Sequence, residues 1–453
     1  MNGRAWSSKV LVNFVIALVA CQVAVVSQGL PVSGVASAAG KAPETGKTKI
    51  TFMTHYVLTL PFGKVLDQAI QEYERLHPNI QIDVQFVPVT ELLPKILVAQ
   101  STGIAPDVVS IAGYMLGDLA EAGMLQEVPS SVRQIVDDVY LPGLSVFATY
   151  GGKQLGLTTE FMPRAMVANV RMLEAAGLPS RTPATFGELE EWARKLTQKE
   201  PDGRFKVAGY AIETGSSGQA VWGTIFSFAW SNGGRYLTPD YRRVAFNTPE
   251  VADAVNYLAG LVSKGIAVAK SWVVVDMRSE KAALSMAHGP YWKNEFTRPK
   301  EYVYDRFISG LMPAGKTGKP AAPTYGWLLG VTTGSSHSKE AWEFITWLTT
   351  SVDEKTGMTR MGQVMAELGS MPVTRPDLAH TPVLKEAFMS GFLEAIRKGF
   401  TVPDPVGPKA LQLQNLFMNE IVPAILGTRS TAEALERAAQ LTQAELDKIF
   451  TKR

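Results

Sequence analysis

Met286-Ala287-His288-Gly289-Pro290-Tyr291-Trp292 carries the decisive pattern of this sequence. Ala282 to Ala287 form an apolar run of strand length. Gly289-Pro290 then forces a turn, since glycine permits unusual φ and proline fixes it. Two rings follow at once, where a helix can begin with its first backbone N–H groups free to donate. Flat rings beside unpaired donors suit an uncharged ligand with an apolar face and hydroxyl groups. Taken alone, the same turn reads more readily as two aromatics plugging a core. The rest of the chain decides between these readings.

The 453 residues are too many for one core and imply two or three domains. A hydrophobic fraction of 46% and a charged fraction of 19% describe a packed globular protein. The net charge of +2 gives no reason to expect nucleic acid. One cysteine excludes both a disulfide framework and a thiol metal cluster. Residues 1–38 read as an export signal, with Arg4 and Lys9 ahead of an apolar run from Val10 to Val26. Leu18-Val19-Ala20-Cys21 resembles a lipobox that would make Cys21 the lipidated first residue. Ala36-Ser37-Ala38 is the alternative site of ordinary cleavage. The expected location is therefore outside the cytoplasm, on the outer face of the membrane by a lipid anchor, or periplasmic or extracellular. Past the leader the chain is neutral.

From Lys49 onward, apolar runs alternate with stretches of 3.6-residue period. Lys49–Met53, Ile80–Phe86 and 106–109 read as strands. Phe62–Leu76, Leu92–Gln100 and Leu116–Ala122 read as helices between and after them. This β-α-β-α-β order implies a largely parallel sheet with helices on both faces. A glycine-rich connection, Tyr150-Gly151-Gly152-Lys153, is followed by a second series. Its strands fall at 165–169, 207–212 and 303–311, and its helices at 186–196, 218–230 and 249–263. Thr185 and Glu188 have the spacing of a capping box. After Pro320 to Pro323, residues 325–332 read as another strand and Ser338 opens a helix. Residues 382–398, 408–426 and 431–450 read as helices.

The order of these signals resembles the extracellular solute-binding proteins of ABC importers, in the carbohydrate-binding branch that includes maltose-binding protein. Four segments carry the resemblance, which spans roughly residues 48–450. They are Pro106-Asp107-Val108-Val109 with Leu119 to Leu125, and Tyr150-Gly151-Gly152-Lys153 with Gly156-Leu157 and Asn169. The third is Met286 to Tyr291, and the last is Gly330-Val331 with Ser338 to Phe344. The resemblance implies an α/β periplasmic-binding-protein fold of two lobes, with three inter-lobe crossings and a ligand cleft between the lobes. Lobe one would be 45–150 plus 326–370, and lobe two 151–325 plus 371–453. The implied role is a binding subunit, not an enzyme, that delivers a sugar or oligosaccharide to a membrane permease. A monomer without cofactor or metal is expected.

Ligands in open α/β sheets lie beyond the carboxyl ends of strands, which selects the candidates. His55 and Tyr56 follow the first strand, and Tyr114 follows the third. Glu160 and Arg164 flank the first crossing, where they either bind hydroxyl groups or pair with each other. Trp222 opens a helical stripe with Phe226 and Trp230. Tyr291 holds the place of the family's stacking tryptophan, with Trp292 beside it, and Tyr325 sits at the second crossing. Trp192, Trp272, Trp327, Trp342 and Trp347 are assigned to the core. The tryptophan, aspartate and arginine of maltose-binding protein near Tyr114 are absent, which counts against maltodextrin specificity.

Two catalytic motifs fail on context. Gly310 to Thr317 matches the P-loop pattern, but Gly318, Pro320 and Pro323 forbid the helix that would cradle phosphate. Ser336-His337-Ser338-Lys339 has serine–lysine spacing, yet its Lys-Thr-Gly partners stand in the wrong order or too close. The alternatives to a sugar importer are transport of a phosphorylated polyol, a peptide or an amino-acid derivative, with Arg164 and Lys153 as anion partners, and a secreted carbohydrate-active enzyme.

Overall fold

Strand formation follows the apolar runs. β1 (Thr48–Thr54) pairs in parallel with β2 (Ile80–Phe86) from Thr48 opposite Ile80 to Thr54 opposite Phe86. On its other side β1 pairs in parallel with β3 (Val108–Ala112), in which all five residues are buried. The helix Pro61–Leu76 connects β1 to β2 with proline in its first turn. It buries Gly63, Leu66, Ala69, Ile70 and Tyr73, the three-and-four spacing that lays one face on a sheet. In the computed structural model, residues 46–215, 217–296 and 303–451 are described. The leader, with Cys21 and Ala36-Ser37-Ala38, lies outside them.

β4 (Leu157–Pro163) stays in this first sheet, and β5 (Ala165–Asn169) belongs to a second. Sheet membership thus changes at Arg164. Tyr150-Gly151-Gly152-Lys153 closes a tight hairpin, with Thr149 opposite Gln154. The second sheet continues with β6 (Phe205–Glu213), β7 (Ala267–Lys270) and β8 (Ala282–Ala287). β9 (Phe307–Gly310) completes it, in the order β7-β6-β8-β5-β9. β10 (Ala322–Val331) returns to the first sheet, antiparallel to both β3 and β4, and β11 (Thr401–Pro403) pairs with its start. The first sheet runs β11-β10-β3-β1-β2, with β4 also on β10. Both sheets mix parallel and antiparallel pairs, whereas the sequence pattern implied a largely parallel sheet.

The helices Phe186–Leu196 and Pro249–Ser263 form where the periodicity placed them. The cap at Thr185 differs in one bond. Thr185 Oγ1 accepts from Glu188 N at 3.2 Å, but the Glu188 carboxylate accepts from Ala184 N at 2.6 Å, one residue short of the reciprocal box bond. The span 382–398 is not one helix. Two 3₁₀ turns, Pro382–Lys385 and Ala387–Met389, precede a helix confined to Ser390–Arg397. Gly310 to Thr317 leads into a turn at Gly318, and Lys316 pairs with Asp253. No phosphate cradle forms there.

Helix Ala410–Ile425 packs on helix Gly218–Ala229 through Phe417 and Phe226, whose ring centroids lie 5.6 Å apart. Residues 48–453 cluster as one unit. One apolar cluster runs continuously from Phe52 and Phe344 beside the first sheet to Trp292 and Phe296 beside the second.

Candidate functional site

The carboxyl ends of β1 and β3, the middle of β4 and the start of β10 bring one group of polar and aromatic side chains together. In register, Trp327 stands opposite Glu160 on one side and Ala112 on the other. Side chains of directly opposed residues share a face, so Trp327 and Glu160 are neighbours. His55 stacks on Trp327 with centroids 3.6 Å apart and planes 23° apart. Its Nδ1 lies 3.2 Å from Ser110 Oγ, and its Nε2 lies 3.8 Å from Glu160 Oε1. Tyr56 donates its hydroxyl to Glu160 Oε1 at 2.7 Å. Burial first, and the Glu160 charge second, push the Tyr56 phenol well above its ordinary value. Tyr56 and Glu160 are each 1% exposed.

Arg164 is the residue at which the chain passes from the first sheet to the second. Its guanidinium donates to both Asp404 oxygens, at 2.9 and 3.3 Å, and to the Gln219 carbonyl at 3.3 Å. Gln219 Nε2 also donates to Asp404, at 2.7 Å. Arg164 is fully buried and lies 5.8 Å from the Tyr325 ring centroid. Helix Gly218–Ala229 can pass this close because residue 223 is glycine. A Cβ there would come within 2.1 Å of the Arg164 Cζ. Of the two alternatives for Glu160 and Arg164, their direct pairing does not form. Glu160 is held by Tyr56, and Arg164 is committed to Asp404.

The second sheet contributes its part from the ends of β6 and β8. His288 and Glu213 are buried with Nε2 and Oε2 3.7 Å apart, beyond hydrogen-bond reach. Glu213 Oε2 accepts from Val273 N at 3.1 Å. Glu213 Oε1 and both His288 nitrogens have no hydrogen-bond partner among the described residues. Tyr291 lies over Gly289, where an added Cβ would stand 3.1 Å from the ring and 3.3 Å from Met162 Cβ of β4. The first-sheet strand and the turn after β8 therefore meet here. Burial pushes the Tyr291 phenol up to about 12, with the Arg164 charge opposing; burial pushes Tyr114 up to about 12 as well. Tyr325 is raised well above its usual value, by burial first and then by Tyr291 and Glu160. All these phenols are therefore neutral donors at physiological pH. A small cavity of about 10 Å³ is lined by Tyr114, Gln219, Tyr325 and Asp404 among others. That is room for about one water, so a larger solute requires these walls to part.

The structure brings His55, Tyr56, Glu160, Arg164, Tyr291 and Tyr325 into this region, with Tyr114 on its rim. It moves two expected contacts into the core. Trp222 is fully buried among Phe226, Trp230 and Tyr236, because its stripe faces helix Ala410–Ile425. Trp292 opens a short helix, Trp292–Phe296, and is fully buried with its ring edge-on to Phe296, their centroids 5.9 Å apart. Sequence reasoning missed Trp327, Gln219 and Asp404. The signal for Trp327 was its position two residues after Tyr325, on the same face of a strand. For Asp404 the signal was a lone acid in the proline-rich run Val402 to Pro408.

Residues 59–355 match the model of the bacterial extracellular solute-binding proteins. The maltotriose-binding protein of Pyrococcus abyssi is 22% identical over 344 residues, covering 75% of this chain and 70% of that one. The cyclic α-maltosyl-1,6-maltose binding protein of Arthrobacter globiformis superposes with a TM-score of 0.74 at 20% identity, covering 89% of this chain and all of its own. A solute-binding protein of Thermotoga lettingae, bound with α-D-tagatose, superposes with a TM-score of 0.72 at 22% identity, covering 88% of this chain and all of its own. These likenesses establish the two-lobe periplasmic-binding-protein fold. Family and geometry agree.

Proposed function

Because the chain belongs to the bacterial extracellular solute-binding protein family, we propose that it is the binding subunit of an ABC importer and that its ligand is a neutral sugar or oligosaccharide. Each sheet would carry one lobe, with the first change of lobe at Arg164. The observation that carries the ligand class is the commitment of Arg164 to Asp404. Its charge is thereby spent within the protein and is not offered to a phosphate or carboxylate ligand. The groups left are phenol donors, the Glu160 carboxylate and the stacked His55–Trp327 pair, which suit hydroxyl groups and the apolar face of a sugar ring. The similarity to a maltotriose-binding protein supports this reading.

In this mechanism the ligand enters when the walls around Tyr114, Tyr325 and Tyr291 separate. It then favours the closed form by touching both halves at once, since only differential affinity shifts such an equilibrium. The closed protein docks on a permease and releases the sugar unchanged. A lipid anchor at Cys21 would hold the protein near that permease.

A thermal-shift screen over neutral mono- and oligosaccharides tests the reading. A sugar present at 100 times its Kd should stabilise the fold by about 2.7 kcal/mol. Tyr291→Ala should then weaken binding about tenfold, the loss of about 1.4 kcal/mol of stacking and burial. Stabilisation by an anionic solute alone, with none by any neutral sugar, would overturn the assignment.

A further inference from the structure

A second concavity lies at the other end of helix Gly218–Ala229, beside β11. Its volume is about 640 Å³, within the range of small-molecule sites. Its walls come from Trp230, the loop 233–241, the link 317–321 between β9 and β10, and residues 399–405 leading into and past β11. Four aromatic residues line it: Trp230, Tyr236, Tyr241 and Phe400. Arg235 and Lys319 line it too, and both are exposed. Arg235 spends one nitrogen on the Gly234 carbonyl at 2.8 Å, and neither cation has a carboxylate partner among the described residues. Among the described residues no acidic side chain lines the groove. Glu250 flanks the rim near Gly233, and Lys316 faces that carboxylate.

Tyr241 gives an independent reason to regard this groove as built. It holds φ 60°, a left-handed conformation unusual for a ring-bearing residue. The strain is fixed from two sides. The Tyr241 ring stacks on Tyr150 with centroids 6.3 Å apart, and a Cβ on Gly407 would come within 2.8 Å of it. The groove thus differs from the candidate cleft in charge. There the arginine is neutralised, whereas here two cations stand beside aromatic side chains without a carboxylate partner among the described residues.

We propose that this groove binds an acidic saccharide, a sugar chain carrying carboxylates, with its rings against Trp230 and Tyr241 and its carboxylates at Arg235 and Lys319. Rings supply stacking for sugar faces, and the cations supply charge-assisted hydrogen bonds.

Calorimetric titration of the full chain with trimannuronate, and with neutral mannotriose as its uncharged counterpart, tests the proposal. Trimannuronate should bind saturably, more weakly at high salt, and the double variant Arg235→Ala/Lys319→Ala should lose at least about tenfold in affinity. Tyr291→Ala, in the other site, should leave that affinity unchanged. Absence of saturable binding below about 1 mM, equal binding by the double variant, or loss of binding in Tyr291→Ala would each overturn it. Because the double variant reads only the groove, the result stands whether or not a neutral sugar occupies the cleft.

Discussion

The two halves of the candidate cleft handle their polar groups in opposite ways. On the first-sheet side Glu160 and His55 are engaged by neighbours, although Thr159 Oγ1 beside them has no hydrogen-bond partner among the described residues. Tyr56 donates to Glu160, and the His55 Nδ1 meets Ser110. On the second-sheet side His288 and Glu213 sit at comparable burial, and three of their four side-chain polar atoms have no hydrogen-bond partner among the described residues. An unmatched buried polar group costs about 1–3 kcal/mol, so the two halves differ in what a rearrangement forfeits. Turning Tyr56 or Glu160 toward a solute breaks an existing bond. Turning His288 or Glu213 breaks little. The first half is therefore prearranged, and the second is the half able to adapt.

Arg164 belongs to both halves, so its removal should have the largest effect. Arg164→Met leaves Asp404 buried without its charge partner and should cost about 3–5 kcal/mol in a urea titration. Adding Asp404→Leu should restore much of that loss, because an apolar pair carries no stranded charge. A double variant no more stable than the single one would show that the pair does not act as a buried unit.

Tyr56→Phe probes the prearranged half. It strands a buried carboxylate oxygen and should cost about 1–3 kcal/mol, read by the same titration. A cost near zero would erase the contrast between the halves.

Alkaline pH should reveal the tyrosines on both sides. Phenols raised in the fold bind their protons more tightly than in the unfolded chain, so their stabilising contribution is complete below the unfolded value near 10. It is lost as pH climbs through the folded values, about 12 for Tyr114 and Tyr291. Each such tyrosine should contribute a slope of about 1.4 kcal/mol per pH unit in that window, measurable by thermal unfolding between about pH 9 and 12. Tyr56→Phe should flatten the slope.

The smallest effect is expected in the adaptable half. Glu213→Gln keeps an acceptor for Val273 N and removes a buried charge, so stability should change by less than about 1 kcal/mol. A loss as large as that of Tyr56→Phe would mean that the second half is as tightly engaged as the first.

Much of the architecture was legible because it depends on short-range pattern. The period in Phe62–Leu76, the threonine at 185 and the turn at Gly289-Pro290 each fix local backbone with few competing solutions. His55, Tyr56, Glu160 and Tyr325 were legible for a related reason: each lies on a strand of the first sheet or just beyond one. Burial was not legible in the same way. Trp222 and Trp292 look like ligand rings in sequence, but whether a ring faces a cleft or a helix depends on what packs against it from far along the chain. For Trp222 that element is Ala410–Ile425, nearly two hundred residues away.

By itself, then, the sequence determined the alternation of strands and helices, the turn that places Tyr291 and the family to which the chain belongs. Only the tertiary structure decided that Arg164 answers to Asp404 and not to Glu160, that Trp327 stacks on His55, and that Gly223 is the gap through which the guanidinium passes. Those three facts depend on register and on close approach between distant segments. Local propensity does not encode such distances, because the same residues satisfy it equally well with other partners.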